Sequence, residues 1–185
     1  MDAKPHLKLV TPEDESQERE DPWEDGFDGI FRRYSPYVAA IGIKLLGRDD
    51  EVDDLVQDVF LEAYRGLHKL REPAAIKGWL ATVAVRTAKR KLRKRRAKRF
   101  VGLDQQGSYI QLADSAASPE QRAVLVAVFR FLDTIPVEER LAWTLRHVQG
   151  EKLPDVATLC GCSLATVKRR ISAAQTKIDG AFDGR

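Results

Sequence analysis

Apolar residues in this chain recur at intervals of three and four, and that spacing constrains the fold more than any other feature. Phe27, Ile30, Phe31, Tyr34, Val38, Ile41 and Leu45 lie on one face of a helix starting near Trp23. Pro36 interrupts that face and is placed to kink or split the helix, and Gly47 suits its stop. A second helix is predicted from Asp49–Glu51, whose acids complement the positive end of the helix dipole. Its stripe is Val52, Leu55, Val56, Val59, Ala63 and Leu67. Pro73 fits the first position of a third helix, which buries Ile76, Leu80, Val83, Ala84 and Thr87. No segment alternates as a half-buried strand does, so the expected fold is all-α.

Residues 100–117 are rich in Gly, Gln and Ser and keep no helical period, which marks a flexible linker between two small domains. After it, Ser118-Pro119-Glu120-Gln121 carries the elements of a capping box with Pro at the first helical position. Val124, Val128, Phe131, Leu132 and Ile135 form the face of that helix. Pro136 opens another, carrying Leu141, Leu145 and Val148 and closed by Gly150. The expected organisation is an acidic tail over 1–22, helical domains over 23–99 and 118–185, and the linker between them.

Charge divides unevenly along this plan. The chain carries +3 overall, yet residues 1–28 hold a net −7, leaving +10 on the remainder. Nine of the eleven residues from Lys89 to Arg99 are basic. A basic body with an acidic tail points to a polyanionic partner. The tail, polar and without periodicity, reads as disordered and is a candidate intramolecular cover for the basic run. No apolar run reaches the roughly 18 residues of a membrane span, and the N-terminus lacks the apolar core of a secretory signal. A cytoplasmic protein without membrane insertion is expected.

The most specific local pattern lies between Leu153 and Ile178. A short helix carrying Val156, Ala157 and Cys160 meets a turn at Gly161, and a longer helix starts at Ser163. Leu164, Val167, Ile171, Ala174 and Ile178 share one face of the second helix. A small residue, a turn glycine and a capping serine are what two closely crossing helices need, and together they describe a helix-turn-helix. Ala165, Thr166, Arg169 and Ala173 then point furthest from the buried face, flanked by Lys168 and Arg170. Such a helix can enter the major groove with its N-terminal residues on base edges and its flanking cations on phosphates. An ordinary helical hairpin with a solvated basic face is the competing description.

DEVDDLVQDVFLEAYRGL, followed by IKGWLATVA and a basic helix end, resembles region 2 of bacterial RNA polymerase sigma factors. The segment from Ile135 to Ile178 resembles their region 4. The two lie close together without an intervening region 3, as in the extracytoplasmic-function subfamily. That resemblance implies binding to core RNA polymerase and direction of it to promoter DNA, with an anti-sigma factor as a further candidate partner. It assigns Asp54, Gln57, Asp58 and Leu61 to polymerase docking. It assigns Trp79, Arg86, Lys89, Arg90 and Arg93, and in the helix-turn-helix Ser163, Ala165, Thr166, Lys168, Arg169 and Arg170, to DNA. For Trp79 a core role beneath the third helix is an equal reading. Val85-Arg86 stand where the family commonly has Arg-Asn, and Lys152 stands where it usually caps with Ser or Thr. Ala173 and Gln175 fill positions that are often basic.

Cys160 and Cys162 with His147 invite a zinc reading, but tetrahedral sites want a wider Cys pair, so the thiols read as small buried side chains. Neither a cofactor nor catalysis is expected, because no phosphate loop, nucleophile elbow or metal-hydrolase motif occurs. A stand-alone helix-turn-helix regulator leaves DDLVQDVFLEA unexplained. A sigma-like decoy that opens no promoter is the other alternative.

Overall fold

The computed structural model describes residues 26–70, 72–103 and 118–182. The whole of the acidic tail, with its expected disorder and cover of the basic run, and most of the expected linker therefore lie outside the described residues. Among the described residues seven α-helices follow one another: α1 (Gly26–Leu46), α2 (Val52–Gly66), α3 (Ile76–Phe100), α4 (Pro119–Leu132), α5 (Val137–His147), α6 (Leu153–Cys160) and α7 (Leu164–Phe182). Short 3-10 turns lead into α2 and α3, and no strand occurs among the described residues.

Helix boundaries follow local chemistry. Helix α1 runs unbroken through Pro36 and ends at Gly47, whose φ of 67° is the left-handed value that glycine adopts without strain. At the start of α4, Ser118 Oγ accepts the Gln121 N–H and the Gln121 side chain accepts the Ser118 N–H, completing the capping box. Helix α6 begins at Lys152 without a side-chain cap.

Helices α1, α2 and α3 form one bundle around Ile30, Val38, Leu45, Leu55, Val59, Leu80 and Ala84, each wholly or almost wholly buried. The predicted stripe of α3 is buried at all five positions, Thr87 included. Helices α5, α6 and α7 form the second bundle, with Val156, Val167 and Ala174 at its centre. Trp143 Nε1 donates to Gln175 Oε1 at 2.7 Å and fastens α5 to α7. The two bundles do not stand apart. Val137, Leu141 and Leu145 of α5 join the core built on α1 and α3, and α6 packs against α3.

Two departures from the periodic reading concern this junction. Val124, expected on a buried face, is 57% exposed, because α4 touches its neighbours mainly near its C-terminal end through Phe129 and Leu132. Arg95 and Arg140, which hydropathy assigns to solvent, are instead buried. The bundles also meet at Gly47. A Cβ built there would lie 2.3 Å from the Phe129 ring, so the end of α1 and α4 approach as closely as a missing side chain allows.

Gly47→Ala should therefore lower stability through two effects: left-handed strain of about 1–2 kcal/mol and overpacking against Phe129 of about 1–3 kcal/mol. Gly102 also has a positive φ, but its surroundings are empty. Gly102→Ala should lose only the strain contribution. Urea denaturation of both variants separates the two effects, and equal losses would remove the steric one.

Candidate functional site

On α2, Asp54 and Gln57 are exposed, Leu61 is 59% exposed, and Asp58 is half-buried. All four of the residues proposed from the sequence for docking thus reach the surface. Two aromatic side chains without a sequence signal for docking are also exposed: Tyr64, one turn along α2 from Leu61, by 69%, and Phe31 of α1 by 41%. Phe27 stacks edge-on against both Tyr64 and Phe60, and Phe31 against Phe60, so the exposed rings continue a buried aromatic cluster. The spacing of Phe31 nevertheless matches a buried face. Exposure at the rim of a bundle is not encoded in period.

The basic run occupies the second half of α3, and the structure shows what it touches within the chain. Glu62, Asp58 and Asp54 stand one turn apart along α2. Facing them from antiparallel α3, Arg86 pairs with Glu62, Arg90 with Asp58 at 3.4 Å, and Lys91 with Asp58 at 3.3 Å and Asp54 at 3.9 Å. On another side of α3, Arg93 donates to Glu138 of α5 at 2.5 Å, with Lys89 at 3.8 Å. Burial works against the charge on Glu138, but the Arg93 hydrogen bond, with its own backbone N–H and the charges of Arg93 and Lys89, holds its carboxyl below the ordinary value. Exposed pairs such as Arg90–Asp58 contribute about 0–1 kcal/mol each, so these cations can exchange partners readily. Val85, where the family commonly carries a polar residue, is buried and offers nothing to a ligand. Trp79 is half-buried with its ring over Gly66, where a Cβ would meet it at 3.0 Å. That contact supports its packing role and leaves part of the ring open.

The helix-turn-helix has the geometry its punctuation predicts. Gly161 has a φ of 62°, and the Cys162 N–H reaches back to the Ala157 carbonyl at 3.0 Å. Ser163 Oγ accepts the Thr166 N–H at 3.2 Å and so caps α7. Ala165, Lys168 and Arg169 are exposed, while Thr166 and Arg170 are half-buried. Arg170 donates to Cys162 Sγ at 3.3 Å, which ties that cation to the turn.

Cys160 and Cys162 are free, half-buried thiols. No group of three or more His, Cys, Asp or Glu among the described residues is placed to hold a metal ion. Burial, aided by Cys162 and opposed by Arg170 and Lys89, pushes the Cys160 thiol up to about 11. No helix among the described residues is long and apolar enough to cross a membrane.

Comparison with known proteins identifies the family. Residues 30–98 match Sigma-70 region 2 and residues 125–178 match Sigma-70 region 4. The chain is 30% identical over 152 residues to the ECF RNA polymerase sigma factor SigM of Mycobacterium tuberculosis, covering 82% of this chain and 74% of that one. It is 35% identical over 156 residues to the sigma factor EcfG of Rhodopseudomonas palustris, covering 80% and 83%. Among solved structures it resembles the sigma factor RpoE of Bartonella quintana in complex with the anti-sigma factor NepR, with a TM-score of 0.61, 25% identity and coverage of 83% and 94%. CnrH, bound to the cytosolic domain of CnrY, shares the fold at a TM-score of 0.57 and 21% identity. Two helical modules in this order define a sigma-70-type transcription initiation factor. Within that class, the chain belongs to the ECF sigma factors.

Modification of Cys160 should be slow in the folded protein. A thiol shifted from 9.0 to about 11 carries roughly a hundredfold less thiolate near pH 8 than an unshifted one, and the thiolate is the nucleophile. Iodoacetamide labelling, read by mass spectrometry at Cys160 before and after denaturation, should show that protection. Equal rates in both states would contradict it.

Proposed function

We propose that this chain binds core RNA polymerase through the exposed face of α2 and directs it to promoters by contacting DNA with α3 and α7. The observation that carries this reading is one of layout. A surface with acids and an exposed leucine on α2 lies next to a cationic helix, and the same chain holds a capped recognition helix whose outward residues are small or basic. Asp54, Gln57, Asp58 and Leu61 serve the polymerase. Arg86, Lys89, Arg90 and Arg93 supply phosphate contacts at the proximal promoter element, where Trp79 borders the region that receives melted strand. Ala165, Thr166 and Arg169 read base edges at the distal element, and Ser163, Lys168 and Arg170 hold the backbone around them. An anti-sigma factor, such as the NepR bound to RpoE in its solved complex, is a natural antagonist for the same surfaces.

In vitro transcription with core polymerase on genomic fragments tests the reading. Start sites that require this chain are the expected result, and their absence on every fragment overturns it.

Reversing charge at Asp54 and Asp58 together should weaken core binding while leaving the helical circular dichroism unchanged. Pull-down of core by the double Lys variant at wild-type levels would remove α2 from the docking surface. Arg169→Ala should lose about 1–3 kcal/mol of discrimination at the distal element if it reads a base bidentately. Lys168→Ala should weaken cognate and scrambled duplexes alike. Titration of both variants against both duplexes distinguishes the two roles.

A further inference from the structure

Asp133, in the turn after α4, is surrounded by arginines from both bundles. Its side chain is 2% exposed. Arg95 Nη1 donates to Oδ1 at 3.0 Å, Arg99 Nη2 to Oδ2 at 2.9 Å, Arg140 also donates to Oδ1, and Arg48 Nη2 stands 3.7 Å from Oδ2. Arg99 donates as well to the Asp133 carbonyl at 2.8 Å. Two of these cations reach further, to the end of α1. Arg140 donates to the Leu45 and Leu46 carbonyls at 2.9 Å each, and Arg95 to the Leu46 carbonyl at 3.1 Å. Those carbonyls belong to the last turn of a helix, where no intrahelical partner exists. Glu51, held by Arg95 at 2.6 Å, is the second acid of the cluster. Among the described residues, four guanidinium groups thus share two carboxylates across the junction of the bundles.

We infer that this cluster is a latch that holds the helix-turn-helix bundle against α3 in the free chain and must part before both DNA-contacting surfaces can engage a duplex. The inference rests on the DNA-binding roles proposed above. Three observations support it. Asp133 and Glu138 of the second bundle occupy Arg95, Arg99, Arg93 and Lys89 of α3, which are then withdrawn from phosphates. The turn at Thr158–Gly161 and Arg170 face Arg86 and Lys89 across a groove of about 300 Å³. That is the room of a small ligand, not of a duplex approaching the N-terminal end of α7. Finally, the fastening is of a kind that can release. The desolvation cost of a buried ion pair largely offsets its attraction, so parting the whole cluster into water costs far less than deleting one partner inside it.

Asp133→Asn and Glu138→Gln, made separately in the full chain without polymerase, test the latch. Asp133→Asn keeps the shape of the side chain but leaves four arginines around a neutral amide. Glu138→Gln removes only the rim acid, on a half-buried position that tolerates change. The expected result is a larger radius of gyration by small-angle X-ray scattering and tighter binding to a random-sequence duplex. The gain should be about tenfold for Asp133→Asn and smaller for Glu138→Gln. Unchanged dimensions overturn the latch, and so does an expanded chain whose DNA affinity stays at the wild-type value. Should Asp133→Asn lose its cooperative unfolding transition, Glu138→Gln decides alone by the same two readouts. Failure of the wild-type chain to support transcription bears on the proposed function, whereas the scattering of the free variants bears on the latch.

Discussion

A carboxylate buried among arginines cannot be pulled from one of them inside the fold without leaving buried charge unpaired, and the position of Asp133 therefore fixes the relation of the two bundles. Arg95 comes from α3, Arg140 from α5, and the carbonyls they share from the end of α1. Moving any one of these elements would strand a charge or a helix end without a partner, at a cost of several kcal/mol. The apolar contacts of Val137, Leu141 and Phe129 supply attraction at this junction, but such contacts tolerate sliding. The charged cluster does not, and it supplies the register.

Helix α3 links packing to function because it serves both at once. Its first half is core, with Leu80, Val83, Ala84 and Thr87 buried, and its second half is a cationic rod of the same continuous helix. The cations are distributed by direction around that rod: Arg86, Arg90 and Lys91 toward the acids of α2, Lys89 and Arg93 toward Glu138, and Arg95 and Arg99 toward Asp133. The residues proposed for polymerase docking and those proposed for DNA thus hold each other in the free chain. A polymerase surface that takes Asp54 and Asp58 leaves Arg90 and Lys91 without their carboxylates.

The helices were legible in the sequence because their signals are local. Gly47, Ser118, Gly161 and Ser163 act within one turn of themselves, and the apolar stripes of α2 and α3 follow from 3.6 residues per turn. The two modules and their family were legible for the same reason, since each motif is a contiguous string. What escaped is long-range. Nothing near Asp133 marks it as the partner of Arg95 and Arg99, more than thirty residues away, and hydropathy places Arg140 in water. Nothing in the period of α4 shows that Val124 extends past its neighbours. The basic run announced its charge plainly, but its intramolecular acids sit on α2 and α5, which only the fold brings beside it.

The pairing along α3 has a consequence for ionic strength. When a protein cation neutralises a phosphate, the nucleic acid sheds a condensed counterion, and the slope of log affinity against log salt counts these events. Here an arginine that turns to a phosphate abandons a carboxylate, and the exposed carboxylate gathers cations of its own. Release from the DNA is then partly balanced by uptake on Asp58, Glu62 or Glu138. The free chain should respond to salt as though it carried fewer charges than its sequence displays.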